Sequence, residues 1–211
     1  MNILILDPAS STGYCLVEIK DKKANIFKYG HIDIAPSDYD GDRCVQLMNE
    51  VKSLITEHNV KHVGIEDFFF SSRNATGSML NAFYRAAIYT QCRLLGLGYT
   101  IINVSNWKKF IAGRSTPTKE QKLKWGKEPA KKLMIQQALW DKFKFRFPDY
   151  SISLKTGKPI KFRYDVVDAV GQAIFYCFIH ENINEVELSV SVDNSLNDSN
   201  KIKKAFIYPE E

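Results

Sequence analysis

Ile3-Leu4-Ile5-Leu6-Asp7-Pro8-Ala9-Ser10-Ser11-Thr12-Gly13-Tyr14 decides the reading of this chain. Four consecutive large apolar residues form a short run without alternation, which predicts a strand buried on both faces. The run ends on a carboxylate, Asp7. Pro8 and three small residues then turn the chain into a second strand, expected over 12–19. The end of a buried strand is a costly place for a carboxylate unless something positive pairs with it.

The same arrangement recurs downstream. Val63-Gly64-Ile65 is a second apolar run, and it ends on Glu66. Asp165 and Asp168 lie three apart at the start of a helical apolar pattern carried by Val166, Val167, Val170, Ala173, Ile174 and Cys177. Residues at i and i+3 share a helix face, so both can reach one site. A helix N-terminus also favours their ionised form. Taken alone, the pair could be an N-cap and a first-turn charge. Three separate elements each supplying acid point instead to a shared cation. Hard oxygen ligands without accompanying Cys or His suit Mg2+, with Mn2+ as a substitute, rather than zinc. Such a cluster supports phosphoryl transfer with two ions per active site.

Working outward, further strands are expected over 24–34, 60–66 and 99–104, with 21–23 as a hairpin turn. Helices are expected over 42–57, 77–97, 130–143 and 164–180. Three sequential strands followed by alternation give an α/β fold: a mixed five-stranded sheet with helices on both faces. Residues 1–182 then form one domain. The segments 113–128, with Pro117 and Gly126, and 148–161, with Pro148, Gly157 and Pro159, read as exposed basic insertions. Residues 183–211 read as a polar C-terminal extension, with a further edge strand open over 186–192.

The charge is unevenly spread. Of 29 Lys+Arg and 24 Asp+Glu, the stretch 107–163 holds 16 basic and 4 acidic residues, net +12, leaving net −7 elsewhere. Concentrated positive charge is the footprint of a polyanion partner. Trp107, Phe110, Trp125, Phe143, Phe145 and Phe147 interleave with it and favour nucleic acid over a merely solvated face, with some of the six expected in the core. No apolar run approaches the roughly 20 residues of a membrane span, so no membrane partner is expected. The N-terminus carries Asp7 and lacks a basic region, so it is not read as a signal peptide. Cys15, Cys44, Cys92 and Cys177 form no CxxC pair and read as reduced core residues of a cytoplasmic protein. Richness in Lys, Asn and Ile suits a phage or other viral source, hence a host cytoplasm. Of the four histidines, only His62, on the strand of Glu66, stays in reserve as a catalytic group.

Three motifs together resemble the RuvC-like Holliday junction resolvases of the ribonuclease-H-like superfamily. The first is Ile5-Leu6-Asp7-Pro8-Ala9-Ser10-Ser11-Thr12-Gly13. The second is Gly64-Ile65-Glu66-Asp67-Phe68-Phe69-Phe70. The third is Asp165-Val166-Val167-Asp168-Ala169-Val170-Gly171-Gln172-Ala173. Their order and spacing hold over residues 1–180. Departures are Ala9 where Gly is common, the two insertions and the tail.

The resemblance implies a ribonuclease-H-like fold and a metal-dependent endonuclease acting on four-way or otherwise branched DNA. Asp7, Glu66, Asp165 and Asp168 become both catalytic residues and metal ligands. An aromatic after Glu66 is expected to wedge at the branch point. Phe68 and Phe69, with Arg73 in the same segment, become DNA contacts, because exposed aromatics stack on unpaired bases. Lys108 and Lys109 after the fifth strand, and Lys131 and Lys132 opening a helix, become phosphate contacts. The small residues of helix 77–97 help build a homodimer, which places two sites for paired nicks.

Three rivals stand beside this reading. One is another ribonuclease-H-like nuclease of flap, hybrid or exonuclease type, although proofreading exonucleases usually have an acid where Ala9 stands. Another is a sugar-kinase-like or actin-like ATPase, which lacks its second Gly-rich loop here. The third is a non-catalytic DNA-binding module of the same fold.

Overall fold

The computed structural model describes residues 1–68, 75–127, 129–147, 150–152, 159–161, 165–183 and 185–189. Strands β1 (Asn2–Asp7), β2 (Ser11–Lys20) and β3 (Lys23–Asp33) form an antiparallel meander. Asp21 and Lys22 between the last two have φ of 51° and 60°, the left-handed pair that a two-residue hairpin turn requires. Helix α1 (Asp40–Glu57) follows, then β4 (Val60–Glu66), α2 (Ala75–Leu94) and β5 (Gly98–Ile102). Both β4 and β5 run parallel to β1. Helices α3 (Val104–Ala112), α4 (Lys119–Trp125) and α5 (Pro129–Phe143) precede a small antiparallel pair, β6 (Tyr150–Ile152) and β7 (Pro159–Lys161). The described part closes with α6 (Asp165–His180) and β8 (Glu185–Leu188).

The sheet order is β5-β4-β1-β2-β3-β8. It therefore has six strands, not the expected five. The sixth is β8, which pairs in parallel with the outer edge of β3 and places Val186 and Leu188 against the core. The insertions also differ from plain loops. Thr118 caps α4 with its side chain and Gln121 reciprocates, a complete capping box inside the basic stretch. The stretch from residue 148 carries the β6–β7 pair.

Strand β1 runs through the middle of the sheet, and its alternation sorts the core into two layers. Ile3 and Ile5 pack with Cys15, Val17, Ile26, Trp107, Ile135 and the buried run of α6. Leu4 and Leu6 pack with Leu16, Leu47, Val51, Ile65 and Ile88 on the α1 and α2 side. Helix α6 is buried continuously from Val166 to Cys177, as expected of a helix apolar on all sides. Cys15, Cys92 and Cys177 are buried free thiols, while Cys44 is half-buried. Among the described residues, no helix is long and apolar enough to cross a membrane.

Candidate active site

Strand parity explains how the first two acids meet. Asp7 has the parity of Ile3 and Ile5, so it points to the α6 side. Leu6 pairs with Ile65 across the parallel β1–β4 ladder, which sets Asp7 and Glu66 side by side at adjacent strand ends. Gly64 faces Ile5, Ile102 and Tyr176 of the same layer, and Glu66 shares its parity.

The other two acids arrive on the first turn of α6. Their delivery depends on Gly13, which pairs with Asp7 across the β1–β2 ladder. A Cβ on Gly13 would lie 2.2 Å from the Asp165 carbonyl oxygen, so only glycine lets the helix start touch the strand. Thr12 fixes the preceding turn: its hydroxyl donates to the Ala9 carbonyl at 2.8 Å and accepts from the Ala9 N–H at 3.2 Å. Asp7 and Asp168 are buried, while Asp165 is partly exposed.

A lysine closes the cluster. Lys132, on α5, donates to Asp168 Oδ2 in a short ion-paired hydrogen bond and lies 3.4 Å from Asp165 Oδ1. Its surroundings explain two perturbed charges. Burial pushes the Asp7 carboxyl well above the ordinary carboxylate range. Glu66 and Asp168 push it further, against the pull of Lys132. Burial works against the Lys132 ammonium, but Asp168, Asp7 and Asp165 outweigh it and hold its pKa above the lysine range. Asp168 Oδ1 is buried without a hydrogen-bond partner among the described residues.

These observations fit a hard divalent cation in their chemistry. The donors are all carboxylate oxygens, one is orphaned, and burial and neighbouring acids hold one carboxyl towards its neutral form. Among the described residues, however, no three acid, imidazole or thiol groups are already arranged to chelate one ion.

Three residues around Glu66 escaped the sequence reading. Trp107 Nε1 donates to Glu66 Oε1 at 3.0 Å, and Gln172 Nε2 donates to the same oxygen at 3.2 Å. Trp107 is fully buried; it belongs to the core and not to a nucleic-acid face. Arg85 of α2, also buried, donates to the carbonyls of Glu66 (2.9 Å), Asp67 (3.1 Å), Asn81 (3.1 Å) and Pro8 (3.4 Å). It thereby ties the ends of β1 and β4 together.

The remaining candidates fall around this centre. Phe68 is 37% exposed, and the Arg85 guanidinium lies 5.8 Å from its ring centre. Phe69 and Arg73 lie outside the described residues. On α3, Lys108 is half-buried with its ammonium 5.1 Å from the Trp107 ring centre, and Lys109 is exposed. Lys131 is exposed on α5. The Lys132 ammonium is committed to the acids. His62 is four residues from Glu66, towards the other end of β4. There its Nε2 shares a hydrogen bond with Thr100 Oγ1 at 2.8 Å and its ring stacks on Tyr176, so the structure gives it a packing role.

The family model of the crossover junction endodeoxyribonuclease RuvC matches residues 3–127. This chain belongs to the RuvC family. It is 31% identical to the RuvC of Sulfurovum sp. over 126 residues, which cover 57% of this chain and 76% of that one. It is 26% identical to the RuvC of Treponema denticola over 125 residues, covering 56% and 67%. Its fold is similar to that of Thermus thermophilus RuvC, with a TM-score of 0.59 at 14% identity, covering 87% of this chain and 98% of that one. A second T. thermophilus RuvC structure, in complex with Holliday junction substrate, gives 0.58 at 16% identity, covering 86% and 96%. Asp7 and Glu66 lie within the residues that the RuvC family model matches. Asp165, Asp168 and Lys132 lie beyond them and join the site through the fold.

Proposed function

We propose that this RuvC-family chain is a metal-dependent, structure-selective endonuclease that resolves Holliday junctions or other branched DNA by paired phosphodiester hydrolysis. The observation that carries the reading is the convergence of acids from β1, β4 and α6 on one point beside a lysine. Asp7, Glu66, Asp165 and Asp168 would hold two divalent ions, Mg2+ or Mn2+ in its place. When bound, such a pair activates the attacking water and stabilises the leaving oxygen of an in-line displacement.

The chain's own residues supply the rest. Trp107 and Gln172 hold one Glu66 oxygen and leave the other towards the site. Arg85 fixes the backbone from which Glu66 and the aromatic segment both start. Lys108, Lys109 and Lys131 bind phosphates and position the strand. Phe68 and Phe69 stack on bases at the branch point, with Arg73 as a further DNA contact. A homodimer gives two sites for two nicks, and the two-fold character of a junction suits it.

The test is cleavage of labelled four-way, three-way, flap and linear duplex DNA in Mg2+. Preference for the four-way junction with symmetric nicks is expected. Equal cutting of linear duplex would return the chain to the general nucleases of this fold. Binding without cutting in either Mg2+ or Mn2+ would make it a non-catalytic module.

A further inference from the structure

Lys132 is placed where a phosphate-binding lysine has little reason to be. Its ammonium does not point to solvent. It pairs with the buried Asp168 and lies 3.4 Å from Asp165 Oδ1. The Asp7 carboxyl is near enough to be lowered by its charge. Four carboxylates are gathered here, and among the described residues Lys132 is the cation on three of them. Arg85 approaches only the fourth, with Nη2 3.9 Å from Glu66 Oε2. The acids as they stand leave no ready three-ligand seat among the described residues, and Asp168 Oδ2 is engaged by the ammonium.

We propose that Lys132 is the resident counter-cation of the acid cluster, and that a divalent metal loads only by displacing its ammonium from Asp168. The proposal rests on the reading of these four acids as a metal site. One positive charge keeps the metal-free cluster from repelling itself apart. A divalent ion carries twice the charge and takes the same oxygens. The ammonium cannot share them, since like charges a few ångströms apart repel strongly in a partly buried site. Lys132 stands on the first turns of α5, at the rim of the site, and its side chain is 31% exposed, so it has a way out. Metal loading thus turns an internal ion pair into a free ammonium beside the acids, available to a DNA phosphate. Metal and DNA binding become coupled through one side chain, with metal entering first.

The experiment measures Mn2+ binding to the full chain without DNA, by the loss of the free-ion paramagnetic resonance signal. Wild type is compared with Lys132→Met and with Lys52→Met, a control for net charge on the exposed surface of α1. Lys132→Met should bind Mn2+ at least about tenfold more tightly than wild type, and Lys52→Met within about twofold. Lys132→Met should also melt lower without metal and recover when Mn2+ is added. Wild type alone provides a second readout, independent of whether the variant folds. Acetylation of Lys132, followed by mass spectrometry, should be slow without metal and several-fold faster at saturating Mg2+. Unchanged or weaker Mn2+ binding by Lys132→Met, or Lys132 acetylation that does not rise with Mg2+, overturns the displacement while leaving the metal site intact. No Mn2+ binding by wild type and both variants overturns the metal site itself and the displacement with it.

Discussion

Gly13 and Asp165 are in backbone contact across 152 residues of chain. A methyl group on Gly13 would stand 2.2 Å from the Asp165 carbonyl oxygen. The start of α6 therefore rests directly on β2, opposite Asp7. Gly13→Ala should push that helix turn outward and separate Asp165 and Asp168 from Asp7 and Glu66. Overpacking of this kind costs about 1–3 kcal/mol. Single-turnover junction cleavage should fall by more than about 100-fold, because catalysis is far more sensitive than folding to a displacement of this size. A thermal melt run beside the cleavage assay separates the two effects.

Asp7→Asn, Glu66→Gln and Asp168→Asn should each abolish cleavage and leave junction binding nearly intact, since phosphate contacts carry most of the affinity. Asp165→Asn should be similarly damaging, with Asp168 three residues away as partial compensation. Gel-shift and cleavage assays on the same four-way junction check this. Three variants cutting at the wild-type rate would remove the assignment.

Asp7→Asn should also reveal the electrostatic stress of the metal-free site. The folded Asp7 carboxyl has its pKa raised above the ordinary 3.8, so the fold favours the neutral acid. That contribution is fully present below the unfolded value and is lost as pH rises through the folded one. In chelator, Asp7→Asn should therefore melt a few degrees above wild type at pH 7.5, and the gap should narrow towards pH 4. Melting curves across that range decide it; a gap independent of pH would show that Asp7 is not strained by its charge.

Trp107→Phe keeps an aromatic side chain, removes the N–H that holds Glu66 and leaves a small cavity where the larger indole was buried. The lost hydrogen bond to a charged acceptor should cost about 1.5–3 kcal/mol. Junction cleavage should drop roughly tenfold, as Glu66 keeps Gln172 as its second donor. Full activity in Trp107→Phe would make the indole N–H a packing accident.

The aromatic and basic contacts separate by substrate. Phe69→Ala should lower junction cleavage much more than it lowers the melting temperature, because stacking on an unpaired base contributes about 1–3 kcal/mol. A large melting drop with proportionate activity loss would place Phe69 in the core and pass the wedge to Phe68 or Phe70. Lys108→Ala with Lys109→Ala should weaken all DNA shapes alike and flatten the salt slope by up to about 2, one phosphate contact each.

The central strands and the four acids were legible because their signals are local. Asp7 and Glu66 each close an unbroken apolar run, and Asp165 and Asp168 open a helical one. Helix α3 was hidden because Val104 reads as the end of β5; the Asn103 side chain, which accepts from the N–H groups of Ser105 and Asn106, marks where the strand has already stopped. Helix α4 was masked by Pro117 and Gly126, although Thr118-x-x-Gln121 carries a readable capping signal. The sixth strand, β8, is short and half-polar; the sequence left an edge strand open over 186–192, and its seat against β3 places it at Glu185–Leu188. Arg85, Trp107 and Gln172 reach Glu66 or its backbone from 19, 41 and 106 residues away. No periodicity within one element reports such a meeting. Lys132 was found as a basic residue near a helix start; its pairing with Asp165 and Asp168 is a contact only the packing supplies.

The late position of α6 has a consequence for the newborn protein. Asp7 leaves the ribosome 158 residues before Asp165. At about 5–20 residues per second, that interval is roughly 10–30 s. Throughout it the sheet lacks the helix that covers Ile3, Ile5, Cys15, Val17 and Ile26, and the cluster lacks half its acids. The acid cluster is thus completed only when α6 has emerged, by the same event that seals the core. A chain stalled or truncated before α6 would expose apolar sheet surface, inviting proteolysis, without ever becoming a nuclease.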